Sequence, residues 1–395
     1  MDLKGKKLLI QGAGRGHLGL IEAAKRLGVF TIVTGLSDKY PCVPLADKVC
    51  YADITDKEKV LDIAKQEKID GILICCSDTG LSTVGHVCDA LNLSGITEKS
   101  ANLSSNKYLM KQALIEKGVN TAEFRQICNL ENLYQADKDL TYPLIIKAVD
   151  LQGSKGVYVV NNYIELKERY EEIKLLSKKD YCIVEEFIKG KEFGAQAFVY
   201  KGEVMFVLPH GDEVLKGDTS VPIGHYMPFE DTFLYEEIER QAKSAIEALG
   251  LNNCAVNIDF IQRDGKVYII ELTGRVGANC LPEITSYYLG INYYDMIIYA
   301  ALGLDPRIIY NRRDKGGRYV VSRMIKTKQS GIIKELDIPS VKNGYIRMFV
   351  SKDSEVRKFS NSNDAVGELV LFGNSFEELE VKQESIFTRI NIELL

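Results

Sequence analysis

What this chain lacks narrows its function first. No apolar run approaches the roughly 18 residues needed to cross a bilayer. The opening MDLKGKKLLIQGAG passes from a short apolar run straight into glycines, which predicts a first strand and not a secretion signal. An excess of one charge is missing as well. Lys and Arg number 50 against 55 Asp and Glu, for a net charge of −5, so no basic face is built for nucleic acid. The nine cysteines (42, 50, 75, 76, 88, 128, 182, 254 and 280) include no C-x-x-C pair, and the four histidines (17, 86, 210 and 225) are scattered, so no clustered zinc site is expected. Most cysteines sit in apolar strand-like runs such as ILICC and YCIVEEF, as free thiols buried in a reducing cytoplasm would. There is no internal repeat and no low-complexity tract. No Ser–His–Asp or Cys–His arrangement offers a covalent nucleophile.

What is present is an ordinary globular mixture, 46% hydrophobic and 27% charged, long enough at 395 residues for two or three domains. Residues 1–95 alternate strand and helix: KKLLIQG, HLGLIEAAKRLG, FTIVTGL, EKVLDIAKQEK, IDGILICCS and TVGHVCDALNL. Such alternation predicts an α/β domain with a parallel, doubly wound sheet. From about residue 96 the pattern becomes α+β. SSNKYLMKQALIEKG predicts a helix with Ser104 or Ser105 as N-cap and Gly118 as its stop. YPLIIKAVD and GVYVVNN form a hairpin, LKERYEEIKLLSKKD a helix, and YCIVEEFI, KEFGAQAFVY and EVMFVLP strands. YEEIERQAKSAIEALG is a long helix, and NCAVNIDFIQ and KVYIIELT pair over the turn RDG. After the charged linker NRRDKGGRYV, residues 311–395 carry short strands and a terminal helix, SFEELEVKQESIFTRI.

Gly14-x-Gly16-x-x-Gly19 follows a strand and opens a helix, with Asp38 about twenty residues on, the arrangement of a dinucleotide fingerprint. A tight turn at a helix N-terminus needs the same glycines, and nothing later in the chain supplies a hydride-transfer site. Asp259 and Glu271 lie on two strands of one hairpin, where facing carboxylates can converge. Such a pair is costly in an apolar hairpin unless a cation sits between, and hard oxygen donors favour Mg2+. Arg275 adds fixed positive charge close by, suited to a transferring phosphoryl group or an oxyanion. Lys107, Lys147 and the loop Gly153, Ser154, Lys155 are suited to phosphates, although the loop is not a Walker A motif. In VEEFIKGKEF the backbone at a strand exit can read an adenine edge, and a carboxylate seven residues on can hold ribose hydroxyls.

Taken in order, Lys107, Lys147, QGSKG, VEEFIKGKEF, NIDF and ELTGR resemble the ATP-grasp superfamily over nearly the whole chain. The resemblance implies a Rossmann-like pre-ATP-grasp domain at 1–95, an ATP-grasp domain at 96–310 with a lid near 120–190, and a small β-rich C-terminal subdomain at 311–395. It implies ATP and Mg2+ (or Mn2+) as cofactors. Lys107 and Lys147 would hold the α- and β-phosphates, and the loop around Ser154 and Lys155 would close on them. Glu185 and the backbone of Glu186 and Ile188 would bind adenine, Glu192 the ribose, and Asp259, Glu271 and Thr273 the metal. Thr273 stands where the family usually has Asn. Arg275 is expected beside the reacting carboxylate, with Lys216 as a further phosphate-binding lysine. The implied reaction is ATP-dependent ligation of a small carboxylate to an amine through an acyl phosphate, in the branch of carbamoyl-phosphate synthase, glycinamide ribonucleotide synthetase and L-amino-acid ligase. A bicarbonate-activating carboxylase and a catalytically weak nucleotide-binding module are the alternatives. His17, His210 and His225 are candidates to line the pocket, and Glu283 or Asn279 to face the acceptor. A cytoplasmic location and, by analogy, a homodimer are expected, with neither a nucleic acid nor a membrane as partner.

Overall fold

The computed structural model describes residues 3–151, 155–215, 221–314 and 318–395. The N-terminal alternation folds as a four-stranded parallel sheet. From one edge its strands are Lys48–Tyr51, Phe30–Gly35, Lys7–Gln11 and Gly71–Leu73. Lys48–Tyr51 was not foreseen: KVCY is a short, half-exposed edge strand without a run of apolar residues. The flanking helices Leu18–Arg26, Lys57–Glu67 and Leu81–Leu91 lie where the pattern placed them. In Lys57–Glu67 the buried Val60, Leu61 and Ala64 recur at helical spacing, and the Asp56 carboxylate caps the Lys59 N–H.

The next helix corrects one expectation. Lys107–Glu116 is capped by Asn106, whose side chain accepts from the N–H groups of Tyr108 and Leu109. Ser104 and Ser105 instead end a separate helix, Glu98–Ser105. The extended backbone of Asn106 (φ −118°, ψ 109°) breaks the two apart, and asparagine reaches two orphan donors where either serine would have only continued the first helix. Gly118 follows at φ +68°, the left-handed stop that glycine tolerates.

The stretch expected to form a lid contains a four-stranded antiparallel sheet in the order Phe124–Ile127, Cys182–Glu186, Leu144–Ala148, Val157–Val160. Helices Leu130–Asp139 and Tyr163–Leu176 cover it, and it has its own core around Leu133, Ile146 and Val184.

The largest element is an eight-stranded sheet whose paired neighbours run antiparallel. Its order is Lys266–Thr273, Cys254–Arg263, Lys191–Tyr200, Glu203–Leu215, Val221–Met227, Tyr319–Ile325, Gly367–Gly373 and Gly344–Met348. Three strands from beyond residue 311 thus complete the sheet that begins at residue 191. Alternation along these strands separates two faces. Phe193 and Phe260 stack with centroids 5.2 Å apart, Phe193 stacks on Phe229 at 4.6 Å, and all three are buried in the core that includes Ile238, Ala242 and Ile246 of helix Tyr235–Leu249. Each such burial contributes about 1.5–3 kcal/mol. Their chain neighbours Glu192, Gly194 and Asp259 turn to the opposite face, which is where the site forms. No helix among the described residues is long and apolar enough to cross a membrane.

Candidate active site

Asp259 and Glu271 are direct cross-strand partners, brought opposite each other by a bulge between Asp259 and Phe260. The same row continues to Gly194 and then His210 on the next two strands. Loss of surrounding water, and then the charges of Glu271 and Asp212, push the Asp259 carboxyl up to about 7. Carboxylates crowded in this way repel unless a cation lies among them, and an all-oxygen pair suits Mg2+. Lys107, at the first turn of its helix, places Nζ 3.2 Å from Glu271 Oε1 and 2.9 Å from the Leu151 carbonyl. It therefore joins its helix to the Leu151 segment and to the strand of Glu271.

Lys147 and Glu185 occupy neighbouring strands of the lid sheet and form a buried ion pair. Lys111, absent from the sequence-based expectation, lies 2.9 Å from the other Glu185 oxygen and donates to Thr121 Oγ1 at 2.6 Å. Burial alone would raise the Glu185 carboxyl; the ammonium groups of Lys111 and Lys147 outweigh it and hold the carboxyl at about 2. Glu185 thus anchors both lysines by its side chain.

The Glu186 N–H bonds to the Glu123 carbonyl at 2.9 Å, and its carboxylate pairs with Arg263 at 2.9 Å. Ile188 is buried with Ala122 and Ile261, an apolar floor beside this strand exit. Glu192 is exposed at the start of its strand, opposite Ile261. Lys155 is exposed. Gly153, Ser154 and Lys216 lie outside the described residues.

Arg275 makes a fork with Asp78, Nε to Oδ1 at 2.6 Å and Nη2 to Oδ2 at 2.9 Å, while Nη1 donates to the Val276 carbonyl at 3.0 Å. Burial raises the Asp78 carboxyl, but Arg275 overrides it and holds the group below its usual range. Thr273 is buried directly opposite Asn257, its hydroxyl helping to lower Asp78. Asn257 supplies an amide on this face: Nδ2 donates to Asp259 Oδ1 at 3.1 Å, and Oδ1 accepts from Gln196 Nε2 at 2.6 Å. Gln196 in turn accepts the Gly277 N–H at 3.0 Å. This relay ties the metal-side carboxylate to the segment after Arg275.

Asp78, Lys111, Gln196 and Asn257 carry no motif in isolation. Only the alternation of NCAVNIDF and EFGAQAF, with polar residues at every second position of otherwise apolar strands, signalled the last two.

His17 is buried, and burial depresses it to about 4. Glu283 accepts from the Tyr294 hydroxyl at 2.7 Å and is pushed up to about 7 by burial and then by Glu368. Asn279 and Cys280 before it both have positive φ, at 55° and 68°. The glycine fingerprint has a packing explanation. A Cβ on Gly16 would meet the Cys76 Cβ at 2.7 Å, and one on Gly19 the Tyr294 ring at 2.6 Å. Asp38 is hydrogen-bonded by the Tyr51 hydroxyl.

Comparison with known proteins agrees with this arrangement. The ATP-grasp domain family matches residues 104–279. A crystal structure of phosphoribosylglycinamide synthetase from Anaerococcus prevotii is 43% identical, superposes with a TM-score of 0.87, and is matched over 99% of this chain and 100% of that one. The L-amino acid ligase from Bacillus licheniformis shares the fold at 21% identity and a TM-score of 0.83, over 99% of both chains. Phosphoribosylamine–glycine ligase from Caldanaerobacter subterraneus subsp. tengcongensis is 28% identical over 211 residues, which is 49% of this chain and 48% of that protein. The chain thus spans about half the length of that curated relative. With the central sheet and opposed carboxylates in place, the chain belongs to the ATP-grasp superfamily of ligases.

Proposed function

We propose that the chain activates a small carboxylate as an acyl phosphate and passes the acyl group to an amine. The observation that carries this reading is the opposition of Asp259 and Glu271 on one sheet face, with Lys107 bound to Glu271. Asp259 and Glu271 would hold Mg2+, which when bound screens the phosphate charge and orients the triphosphate. Lys107 and Lys147 hold phosphate oxygens. The apolar floor at Ile188 and the backbone of Glu186 and Ile188 receive adenine, and Glu192 the ribose. Glu185 keeps Lys147 in place from beneath, and Thr273 completes the metal side with help from Asn257.

One oxygen of the substrate carboxylate attacks the γ-phosphorus, and ADP leaves. The amine nitrogen then attacks the acyl carbon, the bond to phosphate oxygen breaks, and the nitrogen sheds one proton. Positioning and charge supply most of the acceleration, since little covalent chemistry falls to the protein. Arg275 orients the carboxylate: three of its five N–H donors are engaged by Asp78 and Val276, and the others serve substrate. Glu283 or Asn279 would face the acceptor side. The substrates in the relatives' names, phosphoribosylamine with glycine and L-amino acids, are amines and carboxylates and support this reading.

The test is ATP-dependent phosphate release over pairs of small carboxylates and amines, with bicarbonate as a separate arm. Release that requires one carboxylate and one amine, with an amide as product, supports ligation. Release with bicarbonate alone overturns it in favour of carboxylation. Glu271→Ala is expected to abolish turnover while leaving the far-UV circular dichroism unchanged.

A further inference from the structure

Beside the carboxylate pair, the described residues hold one other cluster of metal-donor side chains: His210, Asp212 and His225. No motif groups them, because fifteen positions separate the outer two and no ligand spacing links them. The antiparallel pairing of Glu203–Leu215 with Val221–Met227 does so. Asp212 stands directly opposite His225, and His210 lies two residues from Asp212 on the same face.

Asp212 Oδ1 is the meeting point, 2.9 Å from His210 Nδ1 and 2.6 Å from His225 Nδ1. The rings stand nearly perpendicular, with centroids 5.3 Å apart. Both imidazoles are enclosed, 1% and 3% exposed, while the Asp212 carboxylate keeps a partial opening. Both Nε2 atoms are buried without a hydrogen-bond partner among the described residues.

We propose that His210, Asp212 and His225 form a second cation site, separate from the Mg2+ pair, that takes a transition-metal ion of the Zn2+, Mn2+ or Co2+ class. Two nitrogens and one oxygen match such borderline cations, whereas Mg2+ is served by oxygen alone. Metal bonds of about 2.0–2.2 Å place tetrahedral donors about 3.3 Å apart, so the three atoms need to part by only about half an ångström. Each neutral ring then carries its proton on Nε2 in place of Nδ1. Three protein donors leave one position open, the pattern of a site that accepts water or a substrate oxygen.

The fold places this cluster near the carboxylate pair. His210, Gly194 and Asp259 are consecutive cross-strand partners, which puts the two sites about 10 Å apart at about 4.8 Å per strand. Gly194 raises no side chain between them, and a Cβ there would meet His210 Cε1 at 2.4 Å. The inference stands whatever carboxylate and amine the ligase uses.

Full-length protein, stripped with a chelator, is titrated with Co2+ in excess Mg2+. The expected result is one Co2+ per chain with a visible d–d band and two of the four histidines paramagnetically shifted in the proton spectrum. Glu271→Gln should keep this binding, and His225→Gln should weaken it at least about tenfold. Removal of Co2+ by Mg2+, absence of the band and of shifted imidazoles in the wild type, or unchanged affinity in His225→Gln would each overturn the site. The wild-type spectra decide the matter even if His225→Gln does not fold.

Discussion

A carboxylate buried between two ammonium groups stays charged only as long as both partners remain. Glu185 is 3% exposed and Lys111 1%. Replacing Glu185 by Gln preserves shape but leaves two buried positive charges unopposed, so stability is expected to fall by about 3–5 kcal/mol. Urea denaturation at pH 7 checks this, and a wild-type midpoint would remove Glu185 from its anchoring role. The same group sets a pH dependence. Its folded pKa of about 2 lies below its ordinary value of 4.5. Its contribution is therefore full above about 4.5 and is lost as pH falls through 2, on the order of 3 kcal/mol in total. Between pH 5 and pH 2 the Gln variant should lose stability less steeply than wild type; parallel curves would contradict the assignment.

At the scale of elements, close approach explains features that sequence motifs assign to ligands. Gly19 lets helix Leu18–Arg26 lie against Tyr294, whereas a Cβ on Gly14 would meet nothing within 4 Å. Gly19→Ala is expected to cost about 1–3 kcal/mol by overpacking, and Gly14→Ala to stay within about 0.5 kcal/mol. Thermal unfolding of the two variants separates these cases, and equal losses would mean that the loop serves some purpose other than packing. Gly194 belongs to the same class. Gly194→Ala should displace the His210 ring and lower the melting temperature, and its crystal structure would show whether the imidazole moves.

Across the whole molecule, Asp78 and Arg275 connect the N-terminal domain to the end of the hairpin that carries Asp259 and Glu271, 197 residues apart in the chain. Both side chains are only about a tenth exposed, so the fork is shielded from solvent screening. A double-mutant cycle on Asp78→Ala and Arg275→Ala should give a coupling of at least about 1 kcal/mol in unfolding free energy. A coupling near zero would show that the two domains are joined by other contacts. In phosphate release, Asp78→Ala should affect turnover more than the KM for ATP, because it disturbs the carboxylate side and leaves the lid lysines in place.

The sequence by itself determined the succession of strands and helices, because hydrophobic periodicity and turn residues are local properties. It also placed Asp259 and Glu271 on the two strands of one hairpin, but the turn register alone would set Asp259 opposite Ile270, and a bulge between Asp259 and Phe260 brings it opposite Glu271. The ordered motifs from Lys107 to Arg275 carried the family. Edge and polar elements such as Lys48–Tyr51 and Phe124–Ile127 stayed hidden, for their stability comes from neighbours and not from their own composition. Only the tertiary structure decided that Lys111 joins Glu185, that Asp78 takes Arg275, that Asn257 stands opposite Thr273, and that three strands from beyond residue 311 finish the central sheet. Each of those is a contact between residues far apart in the chain. One sequence contains no term for such proximity, which arises when the backbone closes its hydrogen bonds into sheets and brings alternate side chains to a common face.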